Sequence, residues 1–394
     1  MRVYGQHHMD THARQPPRGE TQPWLTPSAA DTIRTGIVGA TVTQGGSGWG
    51  ANAHVPALHL LPDYALQAVC TAHEDTAQAS KEKFDAVHAF HDIDAMAQHP
   101  EIDLAVVCVR VPGHKNLVMA GLHANKAVFC EWPLGATLAE AQEMATCAKA
   151  RGLKTIVGLQ ARSDPTLMYA RDLIHEGYIG EVLTANLRVI SQQALERGAG
   201  RIWQGNRTNG ANTLTITGGH AIDGLCYVLG EFDALAARVT TRIKAWKSTE
   251  TGQDVPVDSP DTISVAGVLQ SGAEVSVHVA AIPFHPSGTR LEIYGRNGTM
   301  VISAPRSFNI GPNVLYAAKG NAPLAEMPVP AQYTLVPEGT PYGPPHNVAQ
   351  AYRRAAHAFA AGTGFEVDFD LAVTRHKLID AIERSSAEER VVKL

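Results

Sequence analysis

No apolar run in the 394-residue chain reaches the ~18 residues that a membrane-spanning helix needs, so no membrane association is expected. The first thirty residues are polar and lack an apolar stretch, which argues against a secretory signal. Residues 1–33 are read as a tail, either disordered or wrapped on a neighbouring subunit. Positive charge is also short: 33 basic residues face 38 acidic ones, for a net charge of −5. With no basic block to neutralise phosphates, nucleic acid is not an expected partner. Cysteine is scarce and shows no CxxC pairing. Cys70, Cys108, Cys130, Cys147 and Cys226 are odd in number and read as reduced thiols of a cytoplasmic protein. His54, His73, His88 and His91 show no metal-ligand spacing, so no metal is expected.

What is present organises the chain. An apolar run (Gly36, Ile37, Val38) ends at Gly39, a loop follows with Gly45, Gly46, Ser47, Gly48 and Gly50, and a helix-like segment carries His54 and Pro56. Strand, glycine loop and helix in that order cradle a pyrophosphate. Glycines admit close backbone approach, and the free N–H groups and positive end of the helix face the anion. The spacing Gly36-x-x-Gly39 departs from GxGxxG, with about five extra residues enlarging the loop.

Strands are expected at 34–39, 65–71, 86–90, 102–111, 127–130 and 154–159, with helices near 52–61, 74–84, 92–98, 113–124 and 137–151. This alternation predicts a parallel, doubly wound sheet over 34–160, a Rossmann-type dinucleotide-binding domain. Ligands of such sheets bind at the carboxyl ends of the strands. Gly39, Thr71, Arg110, Glu131 and Gln160 fall at those ends. With Gly36, Gly48, Trp49, His73, Val109, His114 and Trp132 they make up the expected cofactor-binding set.

Around Asp164 the texture changes. A helix at 164–176 ends on the turn Gly177-Tyr178-Ile179-Gly180, and period-2 stretches follow at 181–190, 234–243, 262–269, 274–281, 290–294 and 299–302. Residues 161–394 are therefore expected to form an α+β domain with a large, mainly antiparallel open sheet. A Pro/Gly-rich connection at 303–346 and helices at 346–361 and 369–385 complete it. The chain is α/β overall, with about two domains for its length.

Four motifs occur in order: Glu131-Trp132-Pro133-Leu134, Gln160-Ala161-Arg162 with Pro165, the turn at 177–180, and Gly219-His220-Ala221-Ile222-Asp223. Together they resemble the glucose–fructose oxidoreductase / inositol dehydrogenase / rhizopine-catabolism (Gfo/Idh/MocA) family over residues 34–385. Gly48-Trp49, His54-x-Pro56 and Glu-Trp in place of Glu-Lys are similar to the branch containing the fungal galactose-pathway co-repressor. The resemblance implies hydride transfer between a nicotinamide and a hydroxyl-bearing carbon of a sugar, cyclitol or glycoside, in a homodimer or homotetramer. The family's chemistry uses a Lys, an Asp and a His. Here the lysine position is Trp132, the Asp position is Ile216, and only His220 stands.

A neutral His220 accepts a proton from a substrate hydroxyl, a contribution of about 10²–10⁴ in rate. A position at the start of a helix would hold its pKa down. Its other reading is a buried, hydrogen-bonded histidine. Asp223 either orients His220 or caps the helix. Arg162 binds substrate or makes an ion pair. Trp203 stacks on a sugar ring or packs in the core, and threonine hydroxyls such as that of Thr217 can hold the substrate oxygen. No acid ends the second strand, Val69-Cys70-Thr71-Ala72-His73, to hold a ribose 2′-hydroxyl. The expected cofactor is NAD(P), tipped towards NADP, although no Arg follows and Glu74 is close. Two functions are in view: an NAD(P)-dependent oxidoreductase, or a catalytically silent, dinucleotide-sensing co-regulator. His220 and the crevice favour the first, and the missing Lys and Asp favour the second. The first is adopted.

Overall fold

The computed structural model describes residues 32–42 and 48–394. The expected N-terminal tail up to Asp31, and Gly45, Gly46 and Ser47 of the expected loop, lie outside the described residues. Strands β1 (Ile33–Val38), β2 (Tyr64–Cys70), β3 (His88–Phe90), β4 (Leu104–Val107), β5 (Ala127–Glu131) and β6 (Thr155–Gly158) form one sheet. Its order is β3-β2-β1-β4-β5-β6 with every pairing parallel. The order runs outward from β1 on both sides, so the connections diverge between β1 and β4 and leave a crevice at their carboxyl ends.

β4 and β6 are buried along their whole length, as expected where helices cover both faces. The covering helices are α1 (Val55–Leu60), α2 (Glu74–Phe84), α3 (Ile93–Gln98), α4 (His114–His123) and α5 (Leu138–Ala150). Caps start two of them: Asp92 accepts from the N–H groups of Asp94 and Ala95, and Thr137 accepts from Glu140. β4 is shorter than its apolar run suggests. Cys108 still donates to the Val38 carbonyl, but Val109 and Arg110 leave the ladder for a tight turn at Val111–Gly113.

The second half opens with α6 (Pro165–His175), whose cap Asp164 accepts from Thr166 and Leu167. Next come β7 (Val182–Gln192), β8 (Glu196–Arg197), α7 (Ala199–Ile202), α8 (Gly219–Leu229), β9 (Phe232–Thr240), β10 (Ala245–Ser248) and β11 (Asp254–Pro256). β12 (Thr262–Leu269), β13 (Glu274–Ile282), β14 (Gly288–Gly295), β15 (Gly298–Ala304), β16 (Val314–Lys319) and β17 (Ala325–Glu326) follow. The chain closes with α9 (Pro344–Ala360), α10 (Phe369–Glu388) and β18 (Val392–Lys393).

Nine strands pair in the order β17-β16-β15-β14-β7-β13-β12-β9-β18. Every pairing is antiparallel except β7 with β13. Along β13, Val275, Val277 and Val279 face inward while Glu274, Ser276 and His278 face solvent, so one face of the sheet is open. β8, β10 and β11 form a separate small sheet.

The last two helices return to the first half. Val157 donates to the Val367 carbonyl at 2.9 Å, the Tyr64 hydroxyl donates to the Tyr352 carbonyl at 2.8 Å, and Arg353 pairs with Asp63. A line at residue 160 separates the two sheets but not the packing. All five cysteines are free thiols, four of them buried. Among the described residues no helix is long and apolar enough to cross a membrane.

Candidate active site

β1 ends at Val38, and the chain turns at Gly39 with φ +98°. A Cβ there would stand 2.1 Å from the Cys108 carbonyl oxygen, so β1 and β4 approach this closely only with glycine at the turn. The chain returns at Gly48 and Trp49, and a π-helical turn, Gly50–His54, runs directly into α1. His54 points away from the cradle. Its Nε2 donates to Glu131 Oε1 at 2.7 Å and its Nδ1 meets the Tyr352 hydroxyl at 2.8 Å. Glu131 also accepts from Gln160 Nε2 at 2.7 Å. Burial pushes the Glu131 pKa up, but the hydrogen bonds and charge of His54 and the bond from Gln160 outweigh it. The carboxyl is held below its ordinary range.

Between the two halves lies a cleft of about 810 Å³. Gly39, Gly48, Trp49, Val109, Arg110 and His114 form one side, Glu131 and Trp132 the floor, and Trp203, Thr217 and His220 the far side. His114 braces this wall: Nδ1 lies 2.8 Å from the Pro133 carbonyl and Nε2 3.1 Å from that of Val109. Arg110 spans the lips, its guanidinium 5.5 Å from the Trp203 ring and hydrogen-bonded to the Ala199 carbonyl at 3.2 Å.

Trp132 ties the floor together. Its indole N–H donates to the Thr215 carbonyl at 2.7 Å, and its ring lies 4.7 Å from that of His376. A Cβ at Gly219 would fall 2.6 Å from the indole nitrogen, so this contact requires glycine. Thr215 belongs to a π-helical run, Thr213–Gly218, started by a capping box between Asn212 and Thr215. That run continues without a break into α8. His220 is therefore inside a helix that begins at Thr213, which corrects its expected place at a helix start. Its pKa is lowered, and burial is the cause, with Glu131 and Asp223 opposing. Its Nδ1 is buried and has no hydrogen-bond partner among the described residues.

Several expected site residues lie off the cleft. Asp223 does not hydrogen-bond His220. It accepts from Arg162 Nε at 2.9 and 3.0 Å, from Arg162 Nη2 at 2.8 Å and from Arg375 Nε at 3.1 Å. Arg375 continues to Glu231 at 2.8 Å. Arg162 is thus held by Asp223 and is not among the residues lining the cleft. Gly36 packs on Met96, where a Cβ would meet the sulfur at 2.9 Å. The Thr71 hydroxyl faces the His73 carbonyl and Thr76, and His73 is the exposed residue before α2. Gln160 reaches the site only through Glu131.

Lys83, Asn52, Arg201 and Asn309 line the cleft without having been singled out. For Lys83 the link is α2 itself, whose Ser80 hydroxyl accepts from the Val42 N–H at 3.2 Å. Elsewhere His88, His99 and Glu101 bring three possible metal ligands within 4.8 Å of one another. His88 lies on β3 while His99 and Glu101 lie in the loop between α3 and β4, so spacing along the chain did not show the group. His88 Nε2 and Glu101 Oε2 already form a 2.6 Å hydrogen bond.

The strand order, the glycine turn at the β1–β4 crevice and the large, mainly antiparallel sheet that follows define a dinucleotide-binding, Rossmann-type oxidoreductase architecture. Residues 33–159 match the GFO_IDH_MocA model, an oxidoreductase family with an NAD-binding Rossmann fold, and residues 165–304 match the Gal80p C-terminal domain. Residues 33–159 thus carry the Rossmann domain of the Gfo/Idh/MocA oxidoreductase family, joined to a Gal80p-like C-terminal half. Dehydrogenase AclE of Aspergillus oryzae is 29% identical over 334 residues, covering 82% of this chain and 87% of that protein. The galactose/lactose metabolism regulatory protein GAL80 of Saccharomyces cerevisiae is 29% identical over 273 residues, covering 62% of this chain and 60% of that protein. Among solved structures, levoglucosan dehydrogenase in complex with NADH and levoglucosan superposes with a TM-score of 0.80 at 21% identity. The match covers 92% of this chain and 99% of that one.

Proposed function

We propose that this chain is a dehydrogenase that oxidises a hydroxyl-bearing carbon of a sugar, cyclitol or glycoside, with His220 as the base. One observation carries the reading: the His220 ring lines the cleft, and burial lowers its pKa and so favours the neutral imidazole. A ring in that state takes the proton of a substrate hydroxyl. The bound dinucleotide supplies the acceptor for the hydride that leaves the same carbon. Thr217, also on the cleft, offers a hydroxyl to hold the substrate oxygen. Trp132 cannot supply the charge of the family's lysine. It fixes the floor instead.

Cofactor choice rests on the adenosine side. Among the described residues lining the cleft Glu131, at the end of β5, is the one carboxylate, while Lys83 reaches it from α2. A 2′-phosphate there meets a cation and no carboxylate, which supports NADP. NADP⁺ should bind more tightly than NAD⁺, and Lys83→Gln should remove the difference in calorimetry. The open face of the nine-stranded sheet is proposed as the self-association face of a cytoplasmic homodimer or homotetramer. A sedimentation profile of monomer alone would refute that assembly.

The test of function is reduction of NAD(P)⁺ by the purified protein with a panel of sugars, cyclitols and glycosides. Turnover is expected with at least one of them. If none is oxidised while dinucleotide still binds, the silent co-regulator replaces this reading. Trp132 and Ile216, standing at the lysine and aspartate positions, favour that second reading.

A further inference from the structure

Past Thr217 the main cleft leads to a second cavity of about 140 Å³, with which it shares Arg201, Gln204, Ile216 and Thr217. That volume equals a few water molecules and suits one polar group rather than a sugar ring. Arg197 lies on its wall, its guanidinium 4.1 Å from the ring of Trp246. Its N–H groups reach only the Ala194 carbonyl at 3.3 Å and Gln204 Oε1 at 3.4 Å. Arg201 stands beside it on the same cavity, and no residue lining the cavity is acidic.

The half-buried Arg197 is unlike the buried arginines of the protein. Arg162 and Arg375 hold Asp223, and Arg353 holds Asp63. Burial, with the nearby Arg201 charge, pushes the Arg197 guanidinium down to about 10, the direction expected for a desolvated cation without a carboxylate. The Trp246 indole N–H, on the same wall, is buried and unpartnered among the described residues, as is Gln193 Oε1. Two cations, the half-buried Arg197 and the exposed Arg201, line one small cavity that has no carboxylate among its described residues. Guanidinium groups meet carboxylate and phosphate oxygens with paired hydrogen bonds.

We infer that this cavity is an anion seat, and that the substrate is a sugar acid or a sugar phosphate whose carboxylate or phosphate lies between Arg197 and Arg201. The inference names the substrate class of the dehydrogenase proposed above and rests on that reading. The sugar ring occupies the main cleft, with its reacting hydroxyl at His220.

Acetate and inorganic phosphate, at constant ionic strength, probe the seat without presuming a sugar. Each is titrated into the full chain saturated with NADP⁺ while tryptophan fluorescence is followed. A saturable change is expected with at least one anion. It should be lost in Arg197→Gln, retained in Arg197→Lys, and absent in Trp246→Phe. Calorimetry with glucose, glucuronate and glucose 6-phosphate then separates carboxylate from phosphate. The preferred anion should bind about tenfold or more tighter than glucose. If Arg197→Gln does not fold by circular dichroism, Arg201→Gln takes its place in both arms. No saturable response to either small anion, or a response undiminished in a folded variant, overturns the seat. Anion preference without reduction of NADP⁺ by any sugar keeps the seat and removes the dehydrogenase reading. Turnover of neutral sugars with no anion response does the reverse.

Discussion

His220 and Asp223 sit one turn apart on the same helix and have opposite surroundings. His220 lines the cleft, with its Nδ1 unpartnered among the described residues. Asp223 is fully buried, with Arg162 and Arg375 gripping its carboxylate and Glu231 extending the lattice. Burial alone raises the pKa of Asp223, but the two guanidinium groups reverse this and hold it below the carboxylate range. One side of the helix brings polar capacity to the cleft wall. The other closes it inside the fold. Neighbouring polar residues in one motif can therefore serve reactivity and stability separately.

The largest expected effect breaks the packed side. Asp223→Ala leaves two buried arginines short of their counter-charge and should cost about 3–5 kcal/mol of stability in urea unfolding. His220→Ala should leave the urea midpoint nearly unchanged, and equal losses in the two variants would erase the contrast. On the reactive side, His220→Ala should lower kcat/KM at least about 10²-fold with dinucleotide affinity kept. Normal turnover in that variant would assign the base elsewhere. A smaller effect is expected where the two sides meet. Trp132→Phe removes the donor to the buried Thr215 carbonyl and should cost about 1–3 kcal/mol, read as a shifted urea midpoint with an unchanged slope.

The gentlest test is pH. The His220 pKa lies below its ordinary value because burial disfavours the imidazolium. The oxidative rate should therefore hold as pH falls through 6.5, the ordinary value, and decline only below the lowered pKa, where the base is protonated. The Asp223 contribution to stability runs on a different window. A depressed carboxyl pKa gives stabilisation that is complete above the unfolded-state value of about 3.9 and is lost as pH falls through the folded value. Activity and structure should thus be lost on acidification through separate titrations. Simultaneous loss would show that the two residues are not independent.

The parallel-sheet half was legible because each strand and helix there carries its own pattern and ends on a glycine, cap or turn. Its boundaries in the structure differ from expectation by a few residues at most, β4 excepted. That strand was read too long because Val109 is apolar for the cleft wall rather than for the ladder. The large sheet was legible as period-2 segments, but its parallel β7–β13 pair was not, since alternation carries no strand direction. β16 was hidden by the Pro/Gly-rich stretch around it. The run Thr213–Gly218 escaped because β-branched residues crowd it and no apolar stripe repeats through it. Asn212 and Thr215, three residues apart, were the signal available. The pairing of Asp223 with Arg162 and Arg375 was not legible because a motif gives adjacency along the chain, while Arg375 comes from α10. Arg197 and Trp246 lie 49 positions apart by their numbers and meet only through the small β8–β10 pairing.

The π-helical run before α8 also sets an angular phase. Each residue of an α-helix advances about 100° around its axis, and a π turn holds one more residue than an α turn. Between the anchor at Asn212 and His220, the wide turn is thus a clocking device: it decides which compass bearing the imidazole takes. Closing 213–218 as ordinary α-helix with every residue kept would rotate His220 out of the cleft by roughly a quarter turn. The chemistry of every side chain downstream would be intact, and the ring would face the wrong way.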